Sequence, residues 1–525
     1  MERLKRIIIT IVITIATVVF LLGFIDKSNS GKETEKADIV YSIDDIPDDM
    51  RNIASLSTRQ QDIICAVSKG LIEIDSQGKM MPALAKSVDV TDNGIQYNFT
   101  IRDDVFWSDG KSITADDLVQ FFREILTEEN EDDIEALMNV YGARSYLNNE
   151  GNFKETVAIW AEGNNLIIRL NSIDDDFLVQ LSKPQYRLRK NVLSWEFINN
   201  NYTSLVYSGD YYISSMDENQ IILHRNEKSN TDIPKVLSII EDKSEDIALA
   251  AFEVGNRDIV VNPPRNQLQR LKEEGKLITL PSNKAVYASF NLDECAIPIN
   301  GRKKVYSLLD SAIRNYIENN ESSMICAEGK YYRNEESSAA KLQERKVLTN
   351  VDNFWDDEES ITLIAENNID NKELINIISD WIEKNTSYTL VVKLVDKEDI
   401  GGIIDEGYYD LIVFNSEVNS EDDVYKVIDE YNEELSIETW QEDNYFNIED
   451  NMFNSYSILP ILFYNENIAV NNNITGVTLD CNVHIDFSAI RKYGLFIETL
   501  FILILFIFSL YRIRFRIVIL VNIII

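Results

Sequence analysis

The clearest pattern of hydrophobic and polar positions lies between residues 86 and 126. Apolar side chains alternate there with polar ones, as in a strand buried on one face: Ile95, Tyr97, Phe99 and Ile101. The preceding Asp92-Asn93-Gly94 tolerates positive φ, so it predicts a hairpin with a strand over residues 86–90. A second tight turn is predicted at residues 108–111.

A helix is predicted directly after this turn. Thr114 is a typical N-cap residue, and Asp117 follows three positions later, as in a capping box. The next apolar side chains have the spacing of one helix face: Leu118, Phe121, Phe122, Ile125 and Leu126. We expect Trp107 to be buried beside the strand and the turn, as a core residue and not as a ligand-stacking one.

Similar patterns predict alternating helices and strands along the rest of the chain. Strands are expected at 156–160, 166–170, 221–226, 258–260, 286–291, 361–365, 390–395, 407–414 and 459–464, and helices at 60–68, 245–254, 302–317 and 373–384. Residues 361–395 form a predicted βαβ unit, and the whole order is typical of an α/β protein.

The first 26 residues are predicted to be a membrane anchor. Nineteen uncharged residues, 7–25, follow Arg3, Lys5 and Arg6, and they are long enough to cross a hydrocarbon layer of about 30 Å. The basic flank places the body of the protein outside the cytoplasm. A cleaved signal peptide is the alternative, although Ser28-Asn29-Ser30 is a poor cleavage site. Residues 27–37 are expected to be a flexible tether.

The hydrophobic tail, residues 494–525, has two explanations. Residues 495–511 are mostly apolar and precede Arg512, Arg514 and Arg516, which is the pattern of a second transmembrane segment with a cytoplasmic basic flank. The alternative is a non-native extension, such as translation past a disrupted reading frame.

The length, the net charge and the numbers of histidines and cysteines exclude several classes of function. A chain of 525 residues exceeds one hydrophobic core, so two or more lobes are expected. The net charge of −38 argues against nucleic-acid binding. Only two histidines, His224 and His484, and four widely separated cysteines are present, so we predict no metal site and no enzymatic activity. Gly110-Lys111-Ser112 ends like a P-loop, but Val105 stands where that loop needs glycine, so a hairpin turn is favoured.

Several segments resemble one protein family. They are Gly70-Leu71-Ile72-Glu73-Ile74-Asp75, Pro82-Ala83-Leu84-Ala85, Ile101-Arg102-Asp103-Asp104-Val105-Phe106-Trp107-Ser108-Asp109-Gly110 and Thr114-Ala115-Asp116-Asp117. In sequence, order and spacing they resemble the oligopeptide/dipeptide-binding proteins of ABC importers, which are extracytoplasmic solute-binding proteins of family 5. The resemblance is dense over residues 65–126 and traceable to about residue 493.

The resemblance implies an α/β, two-lobed periplasmic-binding-protein-like fold (type II, large peptide-binding cluster), to which the hydrophobic segments add a terminal transmembrane helix. The first lobe would span residues 38–288, with an inserted subdomain at about 66–195. The second lobe would span 289–461, and residues 462–493 would return to the first lobe.

The resemblance also implies a membrane-anchored receptor at the extracytoplasmic face of the cell membrane. It would bind peptide-like ligands as a monomer, without a cofactor, and deliver them to ABC permease subunits. The expected ligand-binding residues are Tyr287, Asn291, Phe414, Asn415, Glu417 and Tyr464. Glu417 would pair with the ligand's α-ammonium, although a solvated loop glutamate is the alternative. A second hypothesis is a non-transporting sensor or interaction protein of the same fold with a degenerate ligand site.

Overall fold

The structure is a computed structural model that describes residues 37–75, 79–228, 232–292, 297–320, 323–333, 360–396, 399–418, 424, 445–480 and 482–493. The predicted anchor, the tether up to residue 36 and the tail at 494–525 lie outside the described residues. Within the described residues, no helix has both the length and the hydrophobicity needed to cross a membrane.

The described strands are spread over the whole chain. They are β1 Ile39–Ile43, β2 Ile72–Ile74, β3 Met80–Pro82, β4 Ala85–Thr91, β5 Gln96–Ile101, β6 Ile159–Glu162, β7 Asn165–Arg169, β8 Tyr211–Met216, β9 Gln220–Arg225, β10 Val236–Glu241, β11 Ile259–Val261, β12 Leu277–Phe290, β13 Met324–Cys326, β14 Ser360–Glu366, β15 Thr389–Val395, β16 Leu411–Glu417, β17 Ile458–Val470, β18 Ile474–Thr475 and β19 Arg491–Lys492.

The described helices alternate with these strands. They are α1 Thr58–Val67, α2 Ala115–Glu128, α3 Glu135–Met138, α4 Ala143–Leu147, α5 Phe153–Thr156, α6 Phe177–Leu181, α7 Ile198–Asn201, α8 Glu245–Glu253, α9 Leu268–Glu273, α10 Ile299–Asn319, α11 Ile369–Asn385, α12 Ile400–Glu406 and α13 Tyr445–Ser455. Short 3-10 turns connect several of them.

Eleven of the described strands form one sheet in the order β15-β14-β16-β12-β17-β11-β1-β10-β9-β8, with β13 added on β17. β1 runs parallel to both β10 and β11, while β12 runs antiparallel to β16 and β17. At the other end, β14 and β15 are parallel and joined through α11, which confirms the predicted βαβ unit.

A second sheet, in the order β4-β5-β7-β6, forms the predicted hairpin region. β4 and β5 pair antiparallel with Val88 opposite Phe99, and Asn93 in the connecting turn has φ of 60°. At the start of α2 the predicted capping box is present: Asp117 N donates to Thr114 Oγ1 at 3.3 Å, and Thr114 N donates to Asp117 Oδ2 at 2.9 Å. Trp107 is 2% exposed, which confirms that it is a core residue.

The hydrophobic cores fall into separate groups along the chain. One core fills the region of the second sheet and includes Phe99, Trp107 and Leu118. A second core lies under β1, α1 and the strands β8 to β11, and it also takes in Ile485 and Phe487 of the returning segment. Two further cores cover opposite faces of the sheet formed by β12, β14, β16 and β17.

The chain near residue 485 is held to β1 and α1 by a buried carboxylate. Asp62 of α1 is fully buried and accepts hydrogen bonds from the Tyr41 hydroxyl at 2.6 Å and from Ile485 N at 3.0 Å. Arg59 supplies the balancing charge, with Nη1 3.1 Å from Asp62 Oδ2. β1, α1 and the chain near residue 485 are therefore joined by one buried group.

The two longest strands differ most from the sequence prediction. β12 begins nine residues before the predicted start at 286, and β17 continues six residues beyond the predicted end at 464. Pro281 in β12 and the polar run Asn465-Glu466-Asn467 in β17 interrupt the apolar pattern, so these extensions give no strand signal. Their backbones nevertheless pair with each other, because both strands cross between the two groups of cores.

Candidate ligand-binding site

The candidate site lies where β12, β16 and β17 lie side by side. In β12 and β16, Lys284 lies opposite Glu417, Val286 opposite Asn415 and Tyr287 opposite Phe414. Side chains alternate between the two faces of a sheet, so Asn415 and Glu417 lie on one face and Phe414 on the other. The predicted ligand-binding residues are therefore divided between two faces.

Tyr287 and Phe414 form a stacked aromatic pair on one face. Their ring centroids are 5.5 Å apart, and the ring of Tyr331 stacks on Tyr287 at 6.4 Å. The Tyr287 hydroxyl donates to the Tyr331 carbonyl, and the Tyr331 hydroxyl donates to the Ile458 carbonyl at 2.8 Å. All three rings are buried, so the pair is part of a packed core in this conformation.

Asn415, Glu417 and Tyr464 belong to the opposite face. The side-chain oxygen and nitrogen of Asn415 are both buried, and neither has a hydrogen-bonding partner among the described residues. Glu417, at the end of β16, is exposed. Tyr464 is 4% exposed, and its burial, followed by the nearby Asp370, raises the pKa of its hydroxyl, which stays neutral at physiological pH.

A charged cluster that the sequence did not single out lies on the ring of Tyr464. The Arg265 guanidinium and the Lys284 ammonium are 5.5 Å and 5.4 Å from its centroid, within the range of cation–π contacts. Asp370 accepts from both cations, at 2.5 Å from Arg265, and Glu373 also pairs with Arg265. Two positive and two negative side chains thus balance one another beside Glu417.

Asn291 is remote from this cluster. Its side-chain amide donates to the carbonyls of Gly407 and Tyr409 at 3.0 Å, and its backbone N–H donates to Asp410 O at 3.0 Å. Seven residues of extended chain separate it from Lys284, which is roughly 23 Å at about 3.3 Å per residue. Asn291 therefore anchors the turn before β16 in this structure.

Among the described residues, the edge of β16 next to the cluster is unpaired. β14 pairs with β16 through Leu411, Ile412 and Val413, while β12 pairs with β16 as far as Glu417. Among the described residues, 415–417 therefore have a backbone partner on the β12 side and none on the β14 side. An unpaired strand edge offers N–H and C=O groups to an extended ligand.

A separate cavity of about 490 Å³ lies within the first lobe. It lies between α1, the β2–β3 hairpin and residues 478–488, and none of the six predicted ligand-binding residues lines it. The buried Arg187 on its wall donates to the carbonyl of Ser68 at 3.0 Å and pairs with Glu73 at 3.3 Å. Lys69 and Asp210 pair across it at 3.1 Å, so its main charges are matched internally.

The described residues contain neither a metal-binding cluster nor an activated thiol. These contain no group of three or more His, Cys, Asp or Glu side chains arranged to hold a metal ion. Cys65 and Cys326 are free thiols, and burial raises the pKa of both, to about 11 for Cys326. Neither thiol is therefore an activated nucleophile.

Comparison with solved structures defines the class of the protein. The Escherichia coli murein tripeptide-binding protein MppA matches 88% of this chain and 99% of its own, with a TM-score of 0.61 and 16% identity. A periplasmic oligopeptide-binding protein from Borrelia burgdorferi matches 87% of this chain and 100% of its own, with a TM-score of 0.63 and 18% identity. The fold is that of a two-lobed α/β binding protein of the periplasmic-binding-protein-like class.

Sequence comparison finds similarity to one family within this class. Residues 79–314 match the family described as "Bacterial extracellular solute-binding proteins, family 5 Middle". The dipeptide-binding protein of Lactococcus lactis is 26% identical over 320 residues, 59% of this chain and 54% of that protein. Over these residues the chain resembles family 5 of the bacterial extracellular solute-binding proteins. It spans about half the length of the curated relatives that it matches.

Proposed function

We propose that the protein is a membrane-anchored extracytoplasmic solute receptor that binds peptide-like ligands for an ABC-type importer. The observation that carries this proposal is the edge of β16 at residues 415–417, which is unpaired among the described residues and lies beside the buried amide group of Asn415. A peptide in extended form would pair with this edge by backbone hydrogen bonds, as in strand addition. Similarity to family 5 supports the same function.

The proposed division of the chain follows from this function. The first lobe spans residues 38–288 with a subdomain at about 66–195, the second lobe spans 289–461, and 462–493 return to the first lobe. The separate hydrophobic cores support this division except at its boundary, where Val286 and Ala288 already share a core with Leu363 and Leu411 of the second lobe. The ligand would lie between the lobes, the body would act as a monomer without cofactor or catalysis, and the N-terminal segment would anchor it outside the cytoplasm.

Glu417 is the proposed partner of the ligand's α-ammonium. It is exposed at the end of β16, next to the open edge, so a ligand paired with that edge would reach it. Glu417→Gln should weaken free-amino peptides about tenfold, while N-acetylated peptides should bind as before because they carry no ammonium. Isothermal titration of both peptide classes measures this difference.

The matched control is Glu383→Gln, which removes a carboxylate from an exposed position on α11. This variant should bind both peptide classes like the unmodified protein. An equal loss of affinity for free-amino and acetylated peptides in Glu417→Gln would remove Glu417 from the ammonium role.

A non-transporting sensor of the same fold is the second candidate. One observation favours it: the Tyr287–Phe414 pair is buried under Tyr331 and is not available as an aromatic wall in this conformation. A non-transporting sensor, used as bait in a pull-down from detergent-solubilised host membranes, should recover no permease subunits. The receptor proposal predicts that permease subunits are recovered.

A further inference from the structure

The strands that join the two lobes share an irregular point. β12 pairs with β17 over Leu277–Pro281 and again from Ala285, with a register shift between these stretches. Before the shift, Ile278 and Leu280 pack against a first-lobe core. After it, Val286 and Ala288 belong to a second-lobe core. The shift therefore marks the position where the chain passes from one lobe to the other.

Four charged side chains bridge the lobes at this position, and we call them the clasp: Arg265, Lys284, Asp370 and Glu373. Arg265 follows β11, which pairs with β1 of the first lobe. Asp370 and Glu373 lie in the first two turns of α11, whose Leu374 and Ile378 are buried in a second-lobe core. The clasp thus connects segments that are fixed in different cores.

The clasp is partly shielded from water. The side chains of Arg265, Asp370 and Glu373 are 26%, 23% and 28% exposed. Asp370 lies between the two cations and accepts hydrogen bonds from both. The ring of Tyr464 in β17 makes a cation–π contact with each cation. Partly buried networks of this kind are screened less by salt than isolated surface pairs, and they restrict the geometry of their members.

We propose that the clasp is a positioning device that sets the relative orientation of the lobes and, through it, ligand affinity. This inference rests on the proposed function, since it assumes that ligand binds between the lobes. A change in the angle at the register shift would move Arg265 relative to Asp370, because their segments are fixed in different cores. Lys284 lies opposite Glu417, so the same movement changes the surroundings of the open edge of β16.

The distance between the lobes tests the proposal. Spin labels at Glu218 and Glu383, both exposed and one in each lobe, report this distance by pulsed electron resonance in a variant lacking the native cysteines. Asp370→Asn keeps the size of the side chain and removes the charge that both cations share. It should broaden the distance distribution of the ligand-free protein and raise peptide Kd about three- to tenfold.

Two variants serve as matched controls. Arg270→Gln removes an arginine whose partners Glu253 and Glu274 both lie in the first lobe, each at 2.7 Å. Asp380→Asn removes a carboxylate that pairs with Lys384 within α11. Neither change should alter the distance distribution.

Two further experiments, a change in salt concentration and a second substitution, distinguish the loss of the clasp contacts from a general loss of structure. Raising the salt from about 0.05 M to about 1 M should broaden the distribution of the unmodified protein more than that of Asp370→Asn, which keeps only the Arg265–Glu373 pair between the two segments. Arg265→Gln combined with Asp370→Asn should change the distribution by less than the sum of the two single changes, since both remove the Arg265–Asp370 pair. An unchanged distance distribution in Asp370→Asn would contradict the proposed role of the clasp in lobe orientation. If Asp370→Asn alters the distances but the protein binds no peptide, the role of the clasp in lobe orientation is supported and the proposed function is contradicted.

Discussion

Adjacent residues of β16 have opposite environments. Phe414 is buried against Tyr287, while Asn415 faces the other side with an amide that has no hydrogen-bonding partner among the described residues. The sequence predicts that neighbours in a strand alternate, but it does not show which residue faces which core. Both faces of β16 are covered, so the strand lacks the apolar–polar alternation that would reveal this. Whether either residue contacts a ligand stays a prediction.

Asp410, just before β16, should make stability depend on pH. Burial raises the pKa of its carboxyl, and the hydrogen bond from Thr362 N at 2.6 Å offsets only part of this effect. A carboxyl whose pKa is raised on folding stabilises the fold below its unfolded pKa, and this contribution is lost as pH rises through the folded value. Ionised Asp410 therefore costs stability at neutral pH.

Asp410→Asn should stabilise the protein at pH 7 by up to about 1 kcal/mol, because water screens a half-buried group. The gain should shrink as pH falls toward 4, and urea unfolding across this range measures it. Asp410→Ala is the control, since it leaves Thr362 N without its acceptor and should destabilise at both pH values. A gain that is constant with pH would contradict the assignment.

Among the elements, locally specified ones could be predicted, whereas only part of each long crossing strand could be. The β4–β5 hairpin and the capped helix α2 are confirmed because a turn, a cap and one apolar face act within a few residues. The first half of β12 pairs with β17 almost 190 residues later, and no local pattern records that pairing. For the same reason the predicted 286–291 strand was too short.

The cap of α2 provides a test at the level of one element. Thr114→Ala removes the acceptor of Asp117 N, and it should lower the free energy of unfolding by about 1 kcal/mol. Thr114→Ser keeps the hydroxyl and should remain within a few tenths of the unmodified protein. Urea unfolding of residues 38–493 compares the two. Equal losses for Ala and Ser would show that the cap hydrogen bond does not stabilise the helix.

For the whole molecule, family and fold were predictable while the charged cluster was not. The segments around Trp107 identified family 5 because their order and spacing are specific. The clasp joins Arg265 and Asp370, which are 105 residues apart, in a chain with 88 acidic and 50 basic residues. Only the folded backbone brings these charges together, so neither charge has a distinguishing signal in the sequence.

The proposed function requires this fold to bind peptide-like ligands between its lobes. Native mass spectrometry of residues 38–493, purified from cells under mild conditions, tests it most directly. The ladder directs the N–H of Val418 to Asn283 of β12 and, by alternation, the N–H of Glu417 to the open edge. We expect adducts with the masses of short peptides, which are released on unfolding and reduced when this edge is blocked by Glu417→Pro. Proline removes the backbone N–H of that residue and disfavours an extended partner. A folded protein that carries no peptide, and whose melting temperature no peptide mixture raises, would contradict the account.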